Sequence, residues 1–350
     1  MELGLYSFGD NSRNPETGRY ESASKIYSNL LERIELADQV GLTYFGLGEH
    51  HREDYPLSSP ATVLSFAAAK TKQIRLGSAV TVLPTKDPVR LFEQFASLDV
   101  LSSGRAEITV GTGAYLESYP LFGTDQDGRQ EQFTERLELL TLLARENPIT
   151  WSGEFRTPLV DAGIWPRPVQ QELPLWVAAG SSLESSERAA KFGANVMYSF
   201  LVTGPCDNKP LVEHYRKSIH GAGFDPRSRK VGIAGRGLIG NDSAATKELF
   251  YRHWAQSMTQ TSRERGTVAP TREQFDAFAR ESGPVLAGSP NEIVDRLSDM
   301  HETLGNDRYI MHMDVGNVPH ADVMKSIELF GTEVMPQLAS LSQRETVSAL

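Results

Sequence analysis

Glu49, His50 and His51 stand together at the end of the apolar run Tyr44-Phe-Gly-Leu-Gly48. An imidazole with its ordinary pKa of about 6.5 gives or takes a proton at neutral pH, so the triplet is suited to acid/base catalysis. A strand-end histidine is as often a structural hydrogen-bonding residue, and the residues alone leave both readings open. Metal chemistry fits less well. Strand side chains alternate, so two histidines that share a metal sit one residue apart, whereas His50 and His51 are adjacent and should point to opposite sides. A metal set could still draw on His312 and Asp314, which keeps a metal-dependent hydrolase as a competing reading.

Two further stretches could receive a ligand. Gly111-Thr112-Gly113 lets backbone approach a bound molecule closely, but it lacks the third glycine of a dinucleotide fingerprint and does not argue for a Rossmann fold. Gly180-Ser181-Ser182 precedes a helical pattern, with Ser181 and Glu184 spaced as a capping box. Free N–H groups, hydroxyls and the positive end of a helix dipole would suit an anion there, although an ordinary helix cap explains the same residues.

The elements that must carry these groups alternate along the chain. A first strand, about Glu2 to Phe8, runs into a long polar loop, Gly9 to Gly18, and then a helix from Ser22 to Val40 closed by Gly41. The Tyr44 strand, a helix opened by Ser58-Ser-Pro60, and a strand from Ile74 towards Pro84 follow. Asp87-Pro88 caps a helix whose Leu91, Phe92, Phe95, Leu98 and Leu101 form one stripe. A fourth strand is expected within Gly104–Tyr115, leaving through Gly111-Thr-Gly113, and further strands over Leu173–Ala179, Asn195–Leu201, Val231–Ile239 and Tyr309–Val315. Helices are expected around 129–145, 181–192, 210–221, 244–265, 290–304 and 320–335. Thr150 to Pro168 reads as an irregular excursion, and Thr259 to Gly283 as a polar insertion or lid containing a short amphipathic helix around Phe275 and Phe278. About eight strand and helix pairs without a composition break give an α/β chain forming a single (β/α)8 TIM barrel with insertions in the βα loops. It spans residues 1–340, followed by a frayed tail over 341–350.

Composition narrows the classes further. A net charge of −10 without a basic cluster argues against nucleic-acid binding. No apolar run approaches the roughly 20 residues that cross a bilayer, and the N-terminus lacks a signal-peptide pattern, so a cytoplasmic location is expected. The single cysteine, Cys206, rules out an intrachain disulfide and a multi-thiolate zinc site.

Glu49-His-His51, Leu76-Gly-Ser-Ala-Val-Thr-Val-Leu-Pro-Thr-Lys-Asp-Pro-Val-Arg90 and Leu98-Asp-Val-Leu-Ser-Ser-Gly-Arg105 resemble the bacterial luciferase-like flavin-dependent monooxygenases. The likeness continues through Phe122-Gly123, Trp165-Pro-Arg-Pro-Val-Gln170, Val177-Ala-Ala-Gly-Ser-Ser182 and Glu328-Leu-Phe-Gly-Thr-Glu-Val-Met-Pro336. The resemblance implies the same barrel, a bound FMN or the deazaflavin F420, homodimerisation, and reduced flavin supplied by a separate reductase. It makes His50 the acid/base beside the reactive flavin edge. It also makes Ala79–Val80 a non-prolyl cis peptide against the flavin ring, and puts Gly180, Ser181 and Ser182 at the flavin phosphate. Where the luciferases carry an arginine after the fourth strand, this chain has Thr112, a neutral hydroxyl that cannot replace a guanidinium. Gly113 and Arg129, from the next helix, are the expected substitutes, and the choice between FMN and F420 stays open. The implied reaction uses oxygen on a small organic substrate, with substrate contacts from Asp10–Gly18 and Thr259–Gly283. A protein that holds flavin without turnover is a further alternative.

Overall fold

The computed structural model describes residues 1–14 and 17–340; the tail expected over 341–350 lies outside the described residues. Eight parallel strands close into a ring: β1 (Glu2–Ser7), β2 (Tyr44–Leu47), β3 (Arg75–Ser78), β4 (Ala106–Gly111), β5 (Leu175–Ala179), β6 (Asn195–Ser199), β7 (Val231–Ile239) and β8 (Arg308–His312). Closure is explicit in the register, because β1 pairs with β2 through Gly4 and Tyr44 and with β8 through Glu2 and Arg308. This is the (β/α)8 barrel the alternating pattern requires.

Helices surround the ring: α1 (Ala23–Gln39), α2 (Pro60–Ala68), α3 (Pro88–Leu101), α4 (Arg129–Arg145), α5 (Leu183–Lys191), α6 (Lys209–Gly221), α7 (Ser243–Arg265), α8 (Arg272–Phe278), α9 (Pro290–Leu304) and α10 (His320–Leu329). Their starts follow local chemistry. Asp87 accepts from the N–H groups of Val89 and Arg90, and Ser289 with Glu292 forms a complete capping box. One cap differs from expectation. Ser182, not Ser181, is the N-cap of α5; it has extended backbone and accepts from Ser185 N–H, so the third helical residue is a serine and Glu184 does not close a box.

Two other segments correct the sequence reading. The excursion after α4 contains a two-stranded antiparallel ribbon, Ile149–Trp151 with Leu159–Ala162. Val285–Gly288 is a further strand that pairs only with the outer half of β7 and stays outside the ring. Both are too short to display a period.

The apolar stripes of the helices pack on the outside of the ring. Phe92, Phe95 and Leu98 of α3 and Leu137, Leu140 and Leu143 of α4 are all buried, each worth about 1.5–3 kcal/mol against exposure. Inside the ring sit Tyr6, Tyr44, Trp176, Met197, Ala234 and Ile310. The N-terminal end is sealed by ions. Arg308, 1% exposed, holds both oxygens of Glu107 at 2.7 and 3.0 Å and Glu2 at 2.7 Å, and its guanidinium lies 4.5 Å over the rings of Tyr44 and Trp176. Arg75 also pairs with Glu107.

Candidate active site

At the opposite, C-terminal end of the strands the barrel opens into a cavity of about 490 Å3, within the range of sites that hold a cofactor or drug-sized ligand. Another depression, about 420 Å3, lies at the sealed N-terminal end around Glu2, Arg75 and Arg308. Volume does not separate the two. Position does, since barrel chemistry is carried by the loops after the strands.

His50 and His51 diverge as their adjacency requires. His50, 5% exposed, turns into the cavity, with Nδ1 3.7 Å from Glu117 Oε1, an ion-pair separation beyond hydrogen-bond range. Nε2 makes no hydrogen bond among the described residues and stays open to the cavity. Burial raises the Glu117 carboxyl, but His50 and nearby backbone N–H groups outweigh it and hold the group below the usual carboxylate range. His51 turns away, its Nε2 2.8 Å from Glu49 Oε1 and its ring edge-on to Phe122.

Glu49 is fully enclosed and works as a clamp. Its N–H donates to Val80 O, Oε2 accepts from Val82 N–H, and Oε1 meets the Lys86 ammonium at 2.9 Å. These contacts fix the turn after β3, where the Ala79–Val80 peptide is cis, as the resemblance implied. Ala79 and Val80 share the cavity wall with Gly111, Thr112, Gly113, Ala178 and Gly180. A Cβ on Gly111 would meet Val80 Cγ2 at 3.0 Å, so glycine keeps this wall low; one on Gly180 would meet nothing within 4 Å, so the space beside it is open.

Of the residues marked from sequence, His50, Ala79, Val80, Thr112, Gly113 and Gly180 line one cavity. Ser181 and Ser182 are exposed and lie past Gly180 at the start of α5, outside the lining, because the chain has already left the barrel mouth there. Arg129 is the first residue of α4 and is also outside it. Its side chain has no hydrogen-bond or ion-pair partner among the described residues, and its charge acts on Tyr119, whose hydroxyl donates to Thr112 O.

The aromatic lining around His50 was not marked from sequence. Phe8 packs against Tyr6, His50, Tyr55 and His312 at centroid separations of 4.8 to 6.1 Å, and Tyr115 lies 5.4 Å from His50. Below them His312 Nε2 lies 2.8 Å from Asp10 Oδ2 and 3.1 Å from Asp314 Oδ1. Burial disfavours the charged ring, but the two carboxylates outweigh it and push His312 up to about 9. Asp314, also opposed by burial, is drawn down to about 2 by Arg33, His312 and Ser7. Asp10, His312 and Asp314 bring ligand atoms within 4.8 Å of one another, the geometry a metal reading needs. Arg33 nevertheless sits 2.5 Å from Asp314, where its fixed positive charge already neutralises the carboxylate and opposes a second cation, so the cluster reads as an ion network.

The C-terminal half of α7 roofs the cavity. Gln260 donates to Asp54 at 2.6 Å, Glu264 pairs with Arg52 at 2.5 Å, and Arg265 donates to Ala114 O. Thr261 and Arg265 line the cavity, and Phe275 of α8 is buried, so the segment expected as insertion or lid is a packed helix pinned to the β2 and β4 loops. From the two loops expected to meet substrate, Asp10, Thr261 and Arg265 line the cavity.

No helix is long and apolar enough to cross a membrane among the described residues. Among curated proteins, the chain is 26% identical to the oxygenase component of the flavin-dependent trigonelline monooxygenase of Acinetobacter baylyi, over 94% of this chain and 96% of that one. The structure resembles monooxygenase RslO1 from Streptomyces bottropensis (TM-score 0.82, 22% identity, 96% and 99% of the chains). It also resembles the oxygenating constituent of 3,6-diketocamphane monooxygenase from Pseudomonas putida, solved with FMN (0.75, 20%, 97% and 99%). An F420-dependent secondary alcohol dehydrogenase shares the fold at a TM-score of 0.73 (19%, 96% and 98%). The model of the luciferase-like monooxygenases matches residues 1–307, most of the barrel, and the chain therefore belongs to the luciferase-like monooxygenase family.

Proposed function

We propose that this protein is the oxygenase component of a flavin-dependent monooxygenase, using reduced FMN and oxygen on a small organic substrate. The observation that carries the reading is the meeting of His50, with Nε2 open, and the low Ala79–Val80–Gly111 wall in one cavity. The residues present fit a flavin: the low wall suits a planar ring, the open space at Gly180 leads to the N-terminus of α5, and Arg129 offers an unpaired charge near Thr112. Ser181, Ser182 and Gly113 complete the phosphate end in this reading. Reduced FMN supplies, when bound, the electrons that activate oxygen.

The chain's own work is positional and acid/base. Glu49 holds the turn that backs the ring, and Glu117 orients His50 through Nδ1. His50 presents Nε2 to the cavity, where the ring can take a proton from the reacting oxygen atom or return one to it. The aromatic wall and the pinned α7 keep bulk water away. The relative named as an oxygenase component supports a separate flavin reductase as partner. Exposed Phe66 on α2 and Leu101 on α3, neighbouring outer helices, suit burial against a second copy, and the cytoplasm is the location proposed.

Anaerobic titration with reduced FMN and, separately, reduced F420, followed by mixing with oxygen, tests the reading. Binding of reduced FMN, and a spectral response to oxygen altered in His50→Ala, supports it. Binding of F420 alone, inert to oxygen, would make the protein a deazaflavin hydride-transfer enzyme. Retained flavin without substrate-dependent oxygen use would leave a binding protein.

A further inference from the structure

Arg236 stands in the middle of β7, an otherwise apolar strand, in register with His312 of β8. Both side chains line the cavity. Arg236 has no carboxylate within 4 Å among the described residues. Among the described residues its only side-chain hydrogen bond runs from Nη1 to the thioether sulfur of Met258, a weak acceptor, and its Nε is buried without a partner. His312 has the complementary defect. Nε2 is held by Asp10 and Asp314, while Nδ1 of the same ring, 2% exposed, is buried without a partner. Buried polar nitrogens are nearly always satisfied by protein, ligand or water, so these two on neighbouring strands mark a place in the cavity wall where a bound group could complete the hydrogen bonding.

The nearby acids do not serve. Asp314 is taken by Arg33, Ser7 and His312, and Asp10 by His312 and the N–H of Gly316. Asp10, Asp314, Arg33 and His312 thus meet one another, and Arg236 stands beside them with no carboxylate of its own among the described residues. In a ring of eight, β7 lies across from β3, the strand that leads into Ala79 and Val80. A flavin backed by that turn, with its phosphate towards β5, leaves the β7, β8 and β1 wall to the organic reactant. That wall also carries Tyr6, Phe8 and Ile310.

We propose that Arg236, with His312 Nδ1 beside it, is the receptor for a carboxylate on the substrate, and hence that the substrate is an organic acid with an apolar or aromatic body. The assignment rests on the flavin reading for the position of the cofactor but not for the existence of the anion site. A guanidinium pairs with a carboxylate through two parallel hydrogen bonds, which fixes the body of the molecule along the aromatic wall towards His50.

The test is equilibrium binding, by saturation-transfer NMR and calorimetry, of small carboxylates and their amides, benzoate with benzamide and hexanoate with hexanamide. They are offered to the full chain, to Arg236→Met and to Arg236→Lys, and reduced FMN is titrated separately into each. The expected result is that wild type prefers each acid over its amide by about 10- to 100-fold, the size of a charged hydrogen bond. Arg236→Met should lose the preference, Arg236→Lys should keep part of it, and reduced FMN should bind all three alike. Carboxylates held no better than amides by wild type, including binding of neither, would overturn the proposal, and this comparison needs no variant to fold. Weakened reduced-FMN binding in Arg236→Met, with the acid preference intact, would also overturn it and assign the guanidinium to the flavin. If reduced FMN binds none of the proteins while the acid preference stands, it is the cofactor reading that fails.

Discussion

Raising the pH should weaken this fold in a way that one side chain controls. His312 is buried between Asp10 and Asp314 and titrates at about 9 rather than 6.5. Its folded pKa lies above its unfolded one, so the stabilisation is fully present below pH 6.5 and is lost as pH rises towards 9. Between those values the native state holds a proton that the unfolded chain has released, and the unfolding free energy falls by about 1.4 kcal/mol per pH unit. The full span is on the order of 3 kcal/mol, and the interval from pH 7 to 8.5 carries about 2 kcal/mol of it. Urea unfolding of wild type and His312→Gln at half-unit steps over that interval isolates the effect, because glutamine does not titrate and the other groups are common to both. Wild type should lose about 2 kcal/mol more than the variant. Parallel pH profiles would mean that the native ring is neutral at pH 7, and the ion network as described would be wrong.

Three other outcomes follow from particular contacts. Arg308→Met removes the cation that neutralises Glu107 at the sealed end of the barrel and should cost about 3 kcal/mol in a denaturant titration, the penalty of a stranded buried charge; a loss below about 1 kcal/mol would show that Arg75 alone satisfies Glu107. His50→Ala should slow substrate-dependent oxygen consumption by roughly 100- to 10,000-fold while reduced-FMN binding changes little, as for removal of an acid/base group; equal losses in both would make His50 a binding residue. Phe66→Glu on α2, where the side chain is 58% exposed, should turn a dimer into a monomer in light scattering; a monomeric wild type would refute the proposed α2 and α3 interface.

The barrel was legible because its signals are local and repeated. Strand, cap and helix recur along the chain, and the Asp87-Pro88 cap falls where its side chains predicted. At 181–182 two serines compete, and only the backbone conformation of Ser182 decides between them. The His50 side of the cavity was readable for the same local reason, since its residues lie in short strand-end motifs. The ion network was readable only in part: His312 and Asp314 stand out as a pair two residues apart, whereas Asp10 is 302 positions from His312, and nothing near either announces the other. Arg236 did leave a trace, as the one charged residue within Val231–Ile239. A lone charge in a barrel strand needs a partner that neither neighbouring sequence nor periodicity can name.

The two ends of the barrel answer that need differently. At the N-terminal end, Glu2 and Glu107 face Arg75 and Arg308, and Trp176 donates to Glu107 as well, so each of these four charges is met within the chain. At the C-terminal end, Asp10 and Asp314 satisfy His312 and Arg33 in the same way, yet Arg236 remains beside them with a thioether for company. Were Arg236 only a packing element, an apolar residue of similar length would fill the place without a buried, unbonded N–H. An acceptor arriving in the cavity would supply the hydrogen bond that the thioether does not. The wall facing β3 is therefore shaped by charge as well as by aromatic rings, and neutral molecules of the same outline should bind there less tightly than acids.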